Sequence, residues 1–160
     1  MYNPFKILFI SASFPPYHAG GYGLRIKDIV DRLSLRGHEC MVITEIPTGG
    51  GNQTEGTSTY SVVRKLHNRY HAALFPKEIQ FDILDTKLLE KHINIFKPDV
   101  IYLGHIYILS KALLPYLSTK NIPIIFDEGG VNLKGAWTEE GRWFRFIGDY
   151  GQQNLFVRKL

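Results

Sequence analysis

The chain is poor in cysteine. A single thiol, Cys40, stands among 160 residues, which excludes a disulfide scaffold and points to a reducing, cytoplasmic compartment. Set in a strand-like run, that thiol reads as a small buried hydrophobe. Long apolar runs are also missing. None approaches the roughly 20 residues of a membrane-spanning helix. The amino terminus lacks a basic region followed by an apolar stretch and a small-residue cleavage site, so no secretion signal is expected. Without one, the sequon Asn52-Gln53-Thr54 carries no weight. Charge of one sign is scarce as well. A net charge of +4 suits an anionic small ligand or a lipid surface and does not demand nucleic acid. No His, Cys and carboxylate cluster has metal-ligand spacing, and neither a Walker-type sequence nor Gly-x-Ser-x-Gly occurs. No metal and no cofactor is therefore expected.

What is present suffices for a real core: 44% hydrophobic residues and 13% aromatics, in a length that suits one domain over residues 1–160. The chain is organised around residues 6–37. An apolar run over 5–10 predicts a strand buried on both faces. Pro15 and Pro16 end it. Ile26, Ile29, Val30 and Leu33 recur at helical spacing and predict a helix over 22–36, with Gly37 as its C′ glycine. Glu39–Thr44 reads as a second strand. The Gly- and Ser/Thr-rich stretch 46–59 predicts a mobile loop, with a catalytic lid as one possible use. Tyr60–Lys65 reads as a third strand, and Arg64, Lys65, His67, Arg69 and His71 as a solvated basic face. Asp85 is the expected cap of a helix over 86–96, which Lys97-Pro98-Asp99 breaks. Val100–Leu103 predicts a strand, Ser110–Leu117 a helix kinked or shortened by Pro115, and Ile124–Phe126 another strand. The remainder reads as a loop and one or two short helices.

Strands alternating with helices predict an α/β fold with a doubly wound, mainly parallel sheet. Ligands of such sheets bind outside the carboxyl ends of the strands. Three loops should meet there: Phe14 to Gly23, Gly104 to Tyr107, and Asp127 to Val131. Gly20 and Gly21, just before a helix, would let the backbone approach an anion, and the helix start adds free N–H groups and partial positive charge. The same glycines also suit a plain tight turn. His105 is a hydrogen-bond donor or base near neutral pH, or a strand-end histidine bonded to backbone. Asp127 and Glu128 can position substrate hydroxyls or assist catalysis; alternation along a strand turns only one of them into a cleft. His18 also stands in the first loop. Gly21-Tyr22-Gly23-Leu24-Arg25-Ile26 is a broken G-x-G-x-x-G, too far beyond its strand for a dinucleotide fingerprint.

Several motifs together resemble the amino-terminal signature of family 4 glycosyltransferases. They are Ser11-Ala12-Ser13-Phe14-Pro15-Pro16, Gly20-Gly21, Leu33-Ser34-Leu35-Arg36-Gly37-His38, Met41-Val42-Ile43-Thr44, Lys97-Pro98-Asp99-Val100-Ile101-Tyr102 with His105, and Ile122-Pro123-Ile124-Ile125-Phe126-Asp127. The resemblance implies the Rossmann-like first half of a GT-B fold, the acceptor-side domain of a retaining, metal-independent transferase. Its partners would be a nucleotide-sugar donor, a sugar or lipid-linked acceptor, and a carboxyl-terminal donor-binding domain that this chain does not contain. The chain alone would be inactive. By the same resemblance Gly20 and Gly21 approach the donor diphosphate. His105, Asp127 and Glu128 are the catalytic candidates, and Tyr17, His18 and Tyr22 the acceptor contacts. Gly129 or Gly130 occupies the place where many members carry a histidine. Trp137, Trp143, Phe144 and Phe146, interleaved with Arg142 and Arg145, suggest a missing-domain interface, ordinary core, or a peripheral membrane contact. The alternative reading is a non-catalytic α/β module that binds an anionic ligand or a partner through the Gly20-Gly21 loop.

Overall fold

The apolar run near the start of the chain becomes a central strand. In the computed structural model Lys6–Ser11 (β1) is followed by Gly21–Leu35 (α1), Glu39–Glu45 (β2), Thr54–Gly56 (β3), Tyr60–Leu66 (β4), Lys77–Phe96 (α2), Val100–Gly104 (β5), Leu113–Ser118 (α3) and Ile124–Asp127 (β6). The structure describes residues 3–17, 20–47, 54–56 (backbone only), 59–68, 77–106, 108–110 and 112–127. They belong to a compact unit, Met1–Asp127; a second unit, Glu128–Leu160, lies outside the described residues, and so do the tryptophans, phenylalanines and arginines singled out at 137–146.

The strands form one sheet in the order β3-β4-β2-β1-β5-β6. All neighbours are parallel except β3 and β4. β1 is paired on both edges, Ile7 lying in register with Cys40 on one side and Val100 on the other, and its apolar run Ile7–Ile10 follows from both faces being covered. Alternation then sorts the side chains. Ile7, Phe9, Cys40, Val42 and Val62 meet Ile26 and Val30 of α1. Leu8, Ile10, Ile43, Val63, Ile101 and Leu103 meet Leu89, Ile93 and Phe96 of α2 and Leu113 and Leu117 of α3. Each fully buried Leu, Ile or Phe contributes about 1.5–3 kcal/mol. With helices on both faces the sheet is doubly wound, and the domain is Rossmann-like. From β1 the chain steps to β2 and β4, then returns through α2 to restart at β5 on the other side of β1. The topological switch point is therefore the gap between the carboxyl ends of β1 and β5.

The helix ends follow their residues. Gly37 has φ +90°. Its N–H donates to Ser34 O at 3.0 Å and that of His38 to Leu33 O at 3.1 Å, the paired bonds that close a helix through a left-handed C′ residue. His38 then accepts the Phe5 N–H on Nδ1 at 3.0 Å, at the amino end of the sheet and away from the carboxyl-end loops. Lys97 ends α2 with φ 52°, since Pro98 disfavours the right-handed helical region for the residue before it. Asp99 closes onto β1 by accepting the Lys6 N–H at 2.7 Å.

Four expectations are corrected. Asp85 does not cap a helix: α2 begins at Lys77 and Asp85 lies in its interior, 0% exposed. Its carboxylate meets His67 Nδ1 at 2.6 Å and accepts the His67 N–H, while the imidazole stacks on Phe81 with centroids 4.1 Å apart. A tertiary partner thus overrides the preference of Asp for caps. Arg64 does not belong to a solvated basic face; it is 1% exposed. Thr54–Gly56 pair with Val63–Ser61 of β4 inside the stretch read as loop, because β4 would otherwise offer an open edge; residues 48–53 and 57–58 lie outside the described residues. The helix expected at Ser110–Leu117 starts at Leu113. Ser110 supplies the turn before it, accepting the Ala112 N–H on Oγ at 3.2 Å. Pro115 sits in the first helical turn, where its missing N–H has no helical partner to lose.

Candidate functional site

The carboxyl ends of β1 and β5 are tied by the Ala12 N–H, which donates to His105 O at 3.1 Å. Two glycines let α1 close over this junction. A Cβ on Gly104 would stand 2.5 Å from Ile26 Cδ1, and one on Gly23 would stand 3.1 Å from Ser13 Oγ. Close approach of helix to strand is what both positions require. The start of α1 is thereby placed beside the switch point.

Gly20 and Gly21 differ from these in kind. A Cβ on either would meet nothing within 4 Å. Gly20, the N-cap, is ordinary extended backbone with φ −68° and ψ 173°. Among the described residues, neither packing nor a positive φ asks for glycine at these two positions. Among the described residues no side chain caps α1, and its first turn carries no acidic residue. The first N–H groups of α1 have no intrahelical partner, and the positive end of the helix dipole lies there.

His105 stands beside Tyr22, the second residue of α1. Its backbone takes φ 47°, uncommon for a residue other than glycine. Its ring stacks on Tyr22 with centroids 4.8 Å apart and planes 8° apart. Its Nδ1 is buried with no hydrogen-bond partner among the described residues. Burial pushes the imidazole below its ordinary pKa, so the ring is neutral at pH 7 and offers one donor and one acceptor. Tyr22 is thereby placed against a candidate catalytic residue, on the helix turn that Gly21 opens.

Asp127 faces the α1 side of the sheet. Register explains why: Gly104 is opposite Asp127 and Tyr102 opposite Ile125, so Tyr102 and Asp127 share a face. The Tyr102 hydroxyl donates to Oδ2 at 2.5 Å, and Arg25 Nη2 lies 2.7 Å from Oδ1. Burial first, and the bond to Asp127 second, hold the Tyr102 phenol well above its usual pKa. The Asp127 carboxylate is thus occupied on both oxygens, and it links β6 to the early turns of α1. Tyr17 is half-buried, with its ring centroid 4.9 Å from the Arg64 guanidinium carbon. His18 and Glu128 lie outside the described residues. Among the described residues no three His, Cys, Asp or Glu side chains come together as a metal site requires, and no helix is long and apolar enough to cross a membrane.

The sequence reading overlooked Arg25 and Tyr102, and it placed Gly104 at the site without its packing role. Tyr102 carried a usable signal, since it stands two residues before Gly104 on a strand expected to end at the site. Arg25 and Gly104 did not, because their roles depend on the phase and depth at which α1 crosses the sheet.

These features define a Rossmann-like α/β domain whose candidate site lies at the switch point, between the start of α1 and the ends of β5 and β6. Among solved structures, the chain is similar to the sucrose-phosphate synthase of Thermosynechococcus elongatus, with a TM-score of 0.62 at 11% identity over 87% of this chain and 36% of that one. It is also similar to a second structure of that enzyme, with a TM-score of 0.51 at 10% identity over 76% of this chain and 61% of that one. The likeness is one of fold, and the chain spans little more than a third of the first structure. No family model and no curated protein sequence matches it.

Proposed function

We propose that this chain is the acceptor-side half of a glycosyltransferase of the GT-B, family 4 type. In this reading it acts with a donor-binding half to move a sugar from a nucleotide sugar to a sugar or lipid-linked acceptor in the cytoplasm, with retention and without a metal. The observation that carries the reading is the glycine pair. A Cβ at Gly20 or Gly21 would meet nothing within 4 Å among the described residues, and both stand at the amino end of α1 beside the switch point, where a diphosphate would accept hydrogen bonds from its N–H groups. The neutral His105 imidazole, stacked on Tyr22 beside the start of α1, suits a sugar hydroxyl. The fold shared with a sucrose-phosphate synthase, of which the chain spans 36%, agrees with one half of a two-domain enzyme. The isolated chain is inactive on this reading.

The test is sugar transfer and donor hydrolysis by the full-length gene product over UDP-, GDP- and other nucleotide sugars. Wild type is compared with Gly21→Val, whose branched side chain fills the space above the helix start. Turnover that disappears in the variant while the fold persists supports the reading. A gene product with no turnover and no nucleotide binding refutes it.

A further inference from the structure

Arg64 heads the fully buried side chains by volume, at 1% exposure. It lies on β4 in register with Thr44, two residues beyond Val62 and on the same face. That face looks toward the loop between β1 and α1. Its Nη1 donates to Phe14 O at 2.9 Å and its Nη2 to Pro15 O at 2.5 Å. The guanidinium carbon is 5.9 Å from the Phe14 ring centroid and 4.9 Å from that of Tyr17. Phe14 and Tyr17 bridge to each other, and the Phe14 ring meets Tyr60 edge-on at 6.1 Å. One side chain from β4 thus grips two consecutive carbonyls of a loop that leads to Gly20 and Gly21.

A guanidinium is an expensive way to fill a core, because removing its charge from water costs several kcal/mol that an apolar side chain of similar volume avoids. Its distinctive property is a rigid fork with separate donors for two acceptors. The loop needs such a clamp. It carries a Pro-Pro pair that supplies no N–H for regular pairing, and the carbonyl of the buried Phe14 needs a donor.

We infer that Arg64 is a positioning residue for the anion seat: by fixing the Phe14 and Pro15 carbonyls it sets where the loop delivers Gly20 and the start of α1. This inference rests on the proposed diphosphate site. The experiment uses the full-length gene product as wild type, Arg64→Lys and Arg64→Gln. It reads three quantities: affinity for inorganic pyrophosphate by calorimetry, amide hydrogen exchange resolved along the chain, and thermal stability. Lysine keeps the charge but offers a point donor in place of the fork. The expected result is at least tenfold weaker pyrophosphate binding in Arg64→Lys, with exchange accelerated at Phe14, Tyr17 and the first turn of α1, and unchanged in β5 and α2. Wild-type binding that survives undiminished in Arg64→Lys overturns the inference and leaves the diphosphate reading standing. Exchange that rises throughout the domain, or loss of folding in both variants, also overturns it, because Arg64 is then an ordinary core residue. A wild type that does not bind pyrophosphate removes the diphosphate reading and the inference together.

Discussion

A methyl group at Gly104 tests how closely α1 is seated on β5. The added Cβ of Gly104→Ala would lie 2.5 Å from Ile26 Cδ1 and 3.1 Å from Ile26 Cγ1, against an optimum of about 3.5–4.0 Å between carbon atoms. Ile26 is 2% exposed and packed in the core between α1 and the sheet, so its terminal methyl has little free space to enter. Two terms oppose each other. Replacing glycine by alanine restricts the unfolded chain and stabilises by about 0.4–1 kcal/mol. Overpacking costs about 1–3 kcal/mol. The net expectation is a loss of about 1–2 kcal/mol, mostly set by one atom. Ile26→Val deletes that atom at a cost of about 0.5–1.5 kcal/mol. In the Ile26→Val background the Gly104→Ala change therefore becomes nearly neutral, because only the 3.1 Å contact and an ordinary 3.5 Å contact with Tyr102 Cε1 remain. Urea denaturation of the four proteins measures this cycle. A coupling of about 1–2 kcal/mol in favour of the double variant is expected for residues that share one contact. Strict additivity would refute the close-approach argument for Gly104.

Two further outcomes are expected. Gly37→Ala should destabilise by about 1 kcal/mol through its positive φ alone, since the new Cβ meets nothing within 4 Å; thermal melts should show the loss while pyrophosphate affinity stays unchanged, because Gly37 closes the far end of α1. Burial lowers the folded pKa of His105, and burial together with Lys91 and Lys65 lowers that of His92. The unfolded chain therefore takes up these protons first, and stability must fall as pH drops below about 6.5, the ordinary histidine value. His105→Asn, which tolerates the positive φ, should flatten part of that decline in melts from pH 7.5 to 5.5; an identical slope would contradict burial of the imidazole.

Much of the fold was legible because period and punctuation agree. The apolar run of β1, the helical spacing of Ile26 and Val30, and Gly37 after them all describe one unit, and the structure keeps it with boundaries moved by a residue. Failures occurred where a charged residue takes a partner distant in sequence. Arg64 was grouped with Lys65, His67 and Arg69 as a block of like charge. Period two instead assigns it to the face of Val62, and in a sheet covered on both sides that face is interior. Asp85 misled in the same way: local propensity marks it as a cap, and only His67, brought by β4, explains it within a helix. At the site, Gly20, Gly21 and Tyr22 were legible as residues at a helix start, and His105 and Asp127 as residues at strand ends. The stacking of Tyr22 on His105, and the engagement of Asp127 by Arg25 and Tyr102, depend on strand register and helix depth, which the sequence does not state.

The position of β1 between β2 and β5 also orders the steps by which the chain folds during synthesis. Its partner Cys40 leaves the ribosome soon after Ile7, but Val100, the partner on its other edge, follows 60 residues later than Cys40 (100 − 40). At about 5–20 residues per second that is a wait of about 3–12 s. Throughout it a strand that ends up buried from Ile7 to Ser11 presents an open edge and the face that α2 and α3 will cover. The arrangement that creates the switch point therefore makes the nascent chain dependent on protection until β5 emerges.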